Sequence, residues 1–178
     1  MTTILGLSGS LRKASFNSAL LRASLDLAPD GVTVEIGSIA DVPLYNADDE
    51  ARDGLPAAVQ ILQQQLATAD ALLLATPEYN NGIPGVFKNA LDWMSRGEGG
   101  TAFRGKPVAV IGASPGGFGT TLAQAHWLPI LRTLGTRPWF GAKLMVSRAG
   151  AVIEDGELKD EKIRAQLRDF LAGFAASF

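Results

Sequence analysis

The chain has 178 residues, 47% hydrophobic and 19% charged, which suits one compact domain with a sizeable core and gives no mark of disorder. Its net charge of −2, with no Lys/Arg cluster, argues against a nucleic-acid surface, and the lack of cysteine removes disulfide and thiolate chemistry. A single histidine, His126, leaves no zinc site of the usual composition, and no apolar run reaches the roughly 18 residues of a membrane span. The opening MTTILGLSGS is too short and too uncharged for a signal peptide and reads as a first strand. A soluble, cytoplasmic protein that binds neither membrane nor metal is expected.

In chain order, short apolar runs at 3–7, 32–36, 71–75 and 108–112, and a weaker one at 142–146, read as strands. Each is continuous rather than alternating, as strands covered on both faces are. Between and after them, helical spacing marks 18–27, 56–69, 84–94, 121–134 and 160–176, with Pro84 suited to a first helical turn. No repeat, low-complexity stretch or linker divides the chain, so residues 1–178 are expected to form one domain. Strand–helix alternation implies right-handed crossovers and a parallel sheet with helices on both faces. Five strands point to a flavodoxin-like α/β three-layer sandwich of order 2-1-3-4-5, not the six-stranded dinucleotide fold.

Ligands of such folds sit at the carboxyl ends of the strands. After the first strand, residues 9–18 bring together hydroxyls at Ser10, Ser15 and Ser18, the amide of Asn17 and the guanidinium of Arg12. They gather at a helix N-terminus, where free N–H groups and the macrodipole favour an anion such as phosphate. One of Ser15 and Asn17 is also expected to cap the helix. After the third strand, Pro77, Glu78, Tyr79, Asn80, Asn81 and Gly82 form a polar loop. A near match to a nucleotide-binding loop at 100–106 has Pro107 where a hydroxyl is needed and precedes a strand, so it reads as a surface loop.

Three separated segments, 9–17 (GSLRKASFN), 77–93 (PEYNNGIPGVFKNALDW) and 112–120 (GASPGGFGT), resemble the NADPH-dependent FMN reductase family, which includes quinone, azo-dye and chromate reductases. The resemblance implies non-covalent FMN, NAD(P)H as co-substrate, and a small acceptor such as a quinone, free flavin, azo compound or chromate. It also implies a homodimer or homotetramer, with Trp93, Met94 and Trp127 as exposed contact candidates. By the same resemblance Ser10, Arg12, Ser15 and Asn17, with Phe16 among them, hold the FMN phosphate. Residues 77–82 edge the isoalloxazine, and Ser114, Gly116 and Gly117 flank its other side. Asn81 departs from members that carry tyrosine or arginine there.

The chemistry fits these residues, since flavin performs the redox step and the protein supplies orientation and electrostatics. No catalytic side chain is therefore assigned. Gly82 is expected to permit close backbone approach to the ring. Glu78 either orients the loop or lies at the substrate mouth. Tyr79 either stacks beside the ring or packs. Arg96 either sits at the pocket rim, holding an anionic substrate, or is a solvated surface arginine. Phe87, Leu91 and Trp93 read as core or subunit contact, and His126 as packing or interface. A one-electron carrier of the same fold is the alternative, though a net charge of −2 supplies no acidic docking face.

Overall fold

The computed structural model describes all 178 residues, Met1–Phe178. Strands β1 (Thr2–Ser8), β2 (Val32–Gly37), β3 (Ala71–Ala75) and β4 (Pro107–Ala113) pair in parallel in the order β2-β1-β3-β4. The fifth position is shared by two short strands, β5 (Arg137–Pro138) and β6 (Leu144–Val146), each parallel to β4. The order expected from sequence is thus met, but the last strand is split. Residues 139–143 leave the sheet so that the Trp139 ring packs edge-on against Phe170, 4.9 Å between centroids.

Every residue of β3 is buried, and its side chains still alternate between two cores. Ala71, Leu73 and Ala75 join Ile4, Ala109 and Ile111 under helices α1 (Phe16–Leu27) and α7 (Glu161–Ala175). Leu72 and Leu74 join Leu5, Leu7 and Val108 on the opposite face. Covering that face are α3 (Ala57–Thr68), α4 (Gly85–Met94), α5 (Gly99–Phe103) and α6 (Thr121–Thr133). This is the three-layer sandwich in which continuous apolar runs belong.

Trp93, Met94 and Trp127 are not exposed contacts. All three are at most 1% exposed: Met94 and Trp127 turn to the sheet of the same chain, and Trp93 packs edge-on against Tyr45, 5.0 Å between centroids. Trp93 donates to the Pro43 carbonyl at 2.9 Å, and Trp127 meets Phe87 edge-on at 5.0 Å. Phe87 and Leu91 are core, as one of their two expected roles required. The segment at 100–106 is not simply a surface loop, since it begins within α5 and buries Phe103 completely.

Two elements lacked a periodic signal. Helix α2 (Ala47–Asp53) buries none of its residues and is held by Asn46, whose side chain accepts from the Asp48 N–H. The hairpin of β7 (Ile153–Glu154) and β8 (Glu157–Leu158) turns at Asp155-Gly156, both at positive φ (50° and 78°), the Asp-Gly form of a tight hairpin.

Candidate functional site

Three loops leave the carboxyl ends of β1, β3 and β4 at one level. Backbone bonds carry the ladders one residue past the strands: Gly9 N–H to the Ala75 carbonyl, Thr76 N–H to Ile111 and Ser114 N–H to Val146, at 2.9, 2.9 and 3.0 Å. Gly9 must lack a side chain, because a Cβ there would stand 2.3 Å from a Phe87 ring carbon. Gly112 is equally constrained, with Thr120 Oγ1 at 2.1 Å from such an atom.

In the first loop, Ser15 is the N-cap of α1, its Oγ accepting from Ser18 N–H at 3.2 Å. Its own hydroxyl proton remains free to donate. Asn17 is 2% exposed, and its amide both donates to the Ala113 carbonyl and accepts from the Ala113 N–H, each at 2.9 Å. That side chain therefore clips α1 to the end of β4 and is not turned toward a phosphate. Asn17 offers its backbone N–H instead, together with that of Phe16, since neither has an acceptor in the chain. Ser10 Oγ accepts from Arg12 N–H at 3.4 Å, and the exposed Arg12 guanidinium lies 5.0 Å over the Phe16 ring.

The second loop is a two-residue turn. Tyr79 and Gly82 exchange N–H to carbonyl bonds at 3.1 and 2.9 Å, with Asn80 and Asn81 at φ 50° and 61°. Positive φ at both central positions defines a type I′ turn, which asparagine tolerates better than most residues. The Gly82 N–H is spent within the turn, and a Cβ there would find nothing nearer than 3.6 Å within the chain. The unpaired donors of the turn are the N–H groups of Asn80 and Asn81, with both side chains in solvent. Tyr79 is 52% exposed, so its ring is not core packing.

Glu78 has a definite task. Its Oε2 accepts from the N–H groups of Leu122 and Ala123, both at 2.9 Å. Thr120, the N-cap of α6, makes no side-chain cap, so Glu78 supplies the missing acceptor and places a negative charge at the positive end of the helix. Of its two expected roles the orienting one is realised. The turn at 79–82 is thereby tied to α6 and to the third loop that precedes it.

In that loop, Ser114 Oγ donates to the Gly119 carbonyl at 2.6 Å, and the Gly116 carbonyl accepts from Arg148 N–H at 2.9 Å. Ser114 is thus a brace of its own loop. Gly116 and Gly117 remain exposed with clear backbone, and Phe118 stands 87% exposed at the tip. Sequence reasoning did not find Arg148, which carries no motif, and it took Phe118 only as part of the 112–120 segment without a role of its own.

Arg96 is not brought to these loops. It follows α4, roughly 16 Å along the helix from Gly85 at 1.5 Å per residue. There its guanidinium lies 5.5 Å over the Tyr45 ring, with Nε donating to the Asp92 carbonyl at 3.3 Å. His126 is exposed, not packed in the core, and its Nδ1 lies 3.7 Å from where Gly82 would carry a Cβ.

The two helix N-termini beside the site differ in charge. That of α6 is neutralised by Glu78, whereas that of α1 presents free N–H groups with Ser10, Arg12 and Ser15 around it. An anionic ligand is thereby directed to α1. Between the loops lie backbone donors and bare glycine backbone, suited to the polar edge and faces of a planar ring. These features fit a flavin mononucleotide. No acid–base pair or activated nucleophile appears among the loop residues, as befits a site whose chemistry belongs to a bound cofactor.

Comparison with known proteins agrees. Residues 2–151 match the model of the NADPH-dependent FMN reductase family. The chain is 45% identical over 169 residues to an NAD(P)H-dependent FMN reductase of Pseudomonas aeruginosa, covering 94% of this chain and 90% of that one. It is 40% identical over 172 residues to a 2-hydroxy-1,4-benzoquinone reductase of a Burkholderia species, covering 94% and 91%. Its fold overlays on FerB, a flavoenzyme NAD(P)H:(acceptor) oxidoreductase from Paracoccus denitrificans, with a TM-score of 0.86 at 37% identity over 99% and 96% of the two chains. Sheet order, loop chemistry and relatives together make this chain an oxidoreductase that belongs to the NADPH-dependent FMN reductase family.

Proposed function

We propose that the three loops hold FMN, with its phosphate at the N-terminus of α1, and that the chain oxidises NAD(P)H to reduce a small acceptor. A quinone is the acceptor class that the relatives favour, as one of them is named a benzoquinone reductase and others are named quinone reductases. The carrying observation is the contrast between the two helix ends, one capped by Glu78 and the other left as a donor set beside Arg12. Bound FMN supplies hydride acceptance from the nicotinamide and onward two-electron reduction. The chain's own residues bind, orient and leave access. Ser10, Arg12, Ser15 and the N–H groups of Phe16 and Asn17 take the phosphate. Pro77 to Gly82 form one wall, through the Asn80 and Asn81 N–H groups, and Ser114 with Gly116 and Gly117 forms the other. Glu78 fixes the two walls relative to each other.

Protons reach this exposed site from solvent. A homodimer or homotetramer in the cytoplasm is part of the same proposal, and the exposed Phe118, Leu122, Leu128 and Phe140 support it as apolar surface for a second copy. Anaerobic mixing of the yellow FMN-loaded protein with NADPH is expected to bleach the flavin within seconds, and a benzoquinone to restore the colour. A spectrum that NADPH and NADH both leave unchanged would refute the reductase and favour a one-electron carrier.

A further inference from the structure

The chain has no cysteine, so its sulfur chemistry rests on three methionines, Met1, Met94 and Met145. Met94 is fully buried, and Met1 is fully exposed at the amino end of β1, the end of the sheet away from the three loops. Met145 is half-buried in β6, beside the third loop. Its neighbours Leu144 and Val146 enter the core under α1 and α7, so its own side chain turns to the other face of the sheet. There the sulfur lies 3.4 Å from Thr121 Oγ, in the first turn of α6. Met145 and Thr121 line a cavity of about 310 Å³ between α6 and residues 138–145, together with Gln124, Leu128 and Phe140. That space is far above the ~15 Å³ that one water needs, so a molecule as small as a peroxide enters it.

The third loop rests on this residue. Gly119 has φ 63°, and a Cβ there would stand 2.9 Å from the Met145 carbonyl oxygen and 3.1 Å from the Met145 Cβ. The Thr121 hydroxyl has one proton and donates it to the Phe118 carbonyl at 2.8 Å, which ties the loop to α6. The thioether sulfur beside that hydroxyl is a weak acceptor and leaves the bond in place. A sulfoxide oxygen on the same sulfur is polar and accepts strongly, so it competes with Phe118 for the one proton.

We propose that Met145 is an oxidative modification site whose sulfoxide loosens the third loop and weakens FMN binding. This rests on the reading of that loop as a flavin wall. The oxidant is hydrogen peroxide: its O–O bond breaks, one oxygen passes to the sulfur, which loses two electrons, and water leaves. Reduced flavin open to solvent supplies the peroxide beside this loop, by giving dioxygen two electrons with two protons. A sulfoxide reductase with a thiol as reductant returns the thioether and water, so the modification is reversible.

The test treats the apoprotein with hydrogen peroxide and locates the added oxygen by peptide mass spectrometry. Met1 and Met145 should be oxidised and Met94 spared. FMN affinity, read by fluorescence quenching, should fall about fivefold, the loss of one hydrogen bond, and return after treatment with both methionine sulfoxide reductases and dithiothreitol. Met145→Leu should bind FMN as the untreated wild type does and ignore peroxide, although its Met1 still oxidises. In Thr121→Val the disputed proton is gone, so FMN affinity should start lower and peroxide should change it no further. Thermal melts of the apoprotein read the same coupling without flavin, with a peroxide-dependent fall in Tm that Met145→Leu abolishes. A Met145 that stays reduced while Met1 is fully oxidised overturns the proposal. So does an unchanged FMN affinity in fully oxidised protein, or a loss that persists in Met145→Leu. An apoprotein that shows the Tm shift yet binds no FMN before treatment would refute the flavin reading and leave the modification site standing.

Discussion

Removing the carboxylate of Glu78 should separate the two walls of the site. In Glu78→Ala the N–H groups of Leu122 and Ala123 lose the oxygen they share at 2.9 Å, and no side chain of α6 replaces it. Loss of a helix cap costs about 1–2 kcal/mol, and loss of a negative charge at a helix N-terminus about 0.3–1 kcal/mol more. Glu78 is half-buried, so roughly 2 kcal/mol is expected, equivalent to about 4–8 °C in Tm for a chain of this size. Glu78→Gln keeps an oxygen acceptor and loses only the charge, so its Tm should fall by about a third as much. Thermal unfolding of the apoprotein reads this directly. FMN titration of the same variants should show weaker binding in Ala than in Gln, because the 79–82 turn is no longer fixed against the third loop. A Glu78→Ala protein that melts within about 1 °C of the wild type would refute the capping argument. Equal loss in the Ala and Gln variants would show that charge alone matters.

Other residues give independent tests. Asn17→Ala leaves the buried Ala113 N–H and carbonyl without partners and should cost about 2–4 kcal/mol, measured by urea unfolding. Asn81→Gly should be neutral or stabilising and Asn81→Val destabilising by about 1–2 kcal/mol, because φ is 61° there; thermal melts of the two variants check the opposite signs. Arg12→Ala should weaken FMN binding about tenfold or more by fluorescence quenching, and unchanged affinity would remove Arg12 from the phosphate set. Excess FMN should raise the Tm of the wild type, by an amount that grows with the logarithm of its concentration.

What the sequence made legible followed from burial and from backbone chemistry. Apolar runs covered on both faces named four strands directly, and the helix starting near Pro84 followed from proline's suitability for a first turn. The split fifth strand was not legible, because the need to seat Trp139 on Phe170 is tertiary. Helix α2 buries nothing and so left no periodicity to find. In the site, the Asn-Asn-Gly run announced a turn, but not that Gly82 would spend its N–H inside it. Asn17 appeared among phosphate ligands because asparagine at a helix start suits that role. Its actual partner, Ala113, lies 96 residues away in sequence and is brought close only by the fold. Glu78 is the same case, since nothing local says that a loop carboxylate will cap a helix 44 residues later.

The central claim is that the free N-terminus of α1, not the Glu78-capped start of α6, anchors the flavin by its phosphate. Comparing FMN with riboflavin, which differs only by that phosphate, tests it most directly. Two or more charge-assisted bonds predict that the apoprotein binds FMN at least about a hundredfold more tightly, with most of the difference lost in Arg12→Ala. Equal affinity for FMN and riboflavin would contradict it.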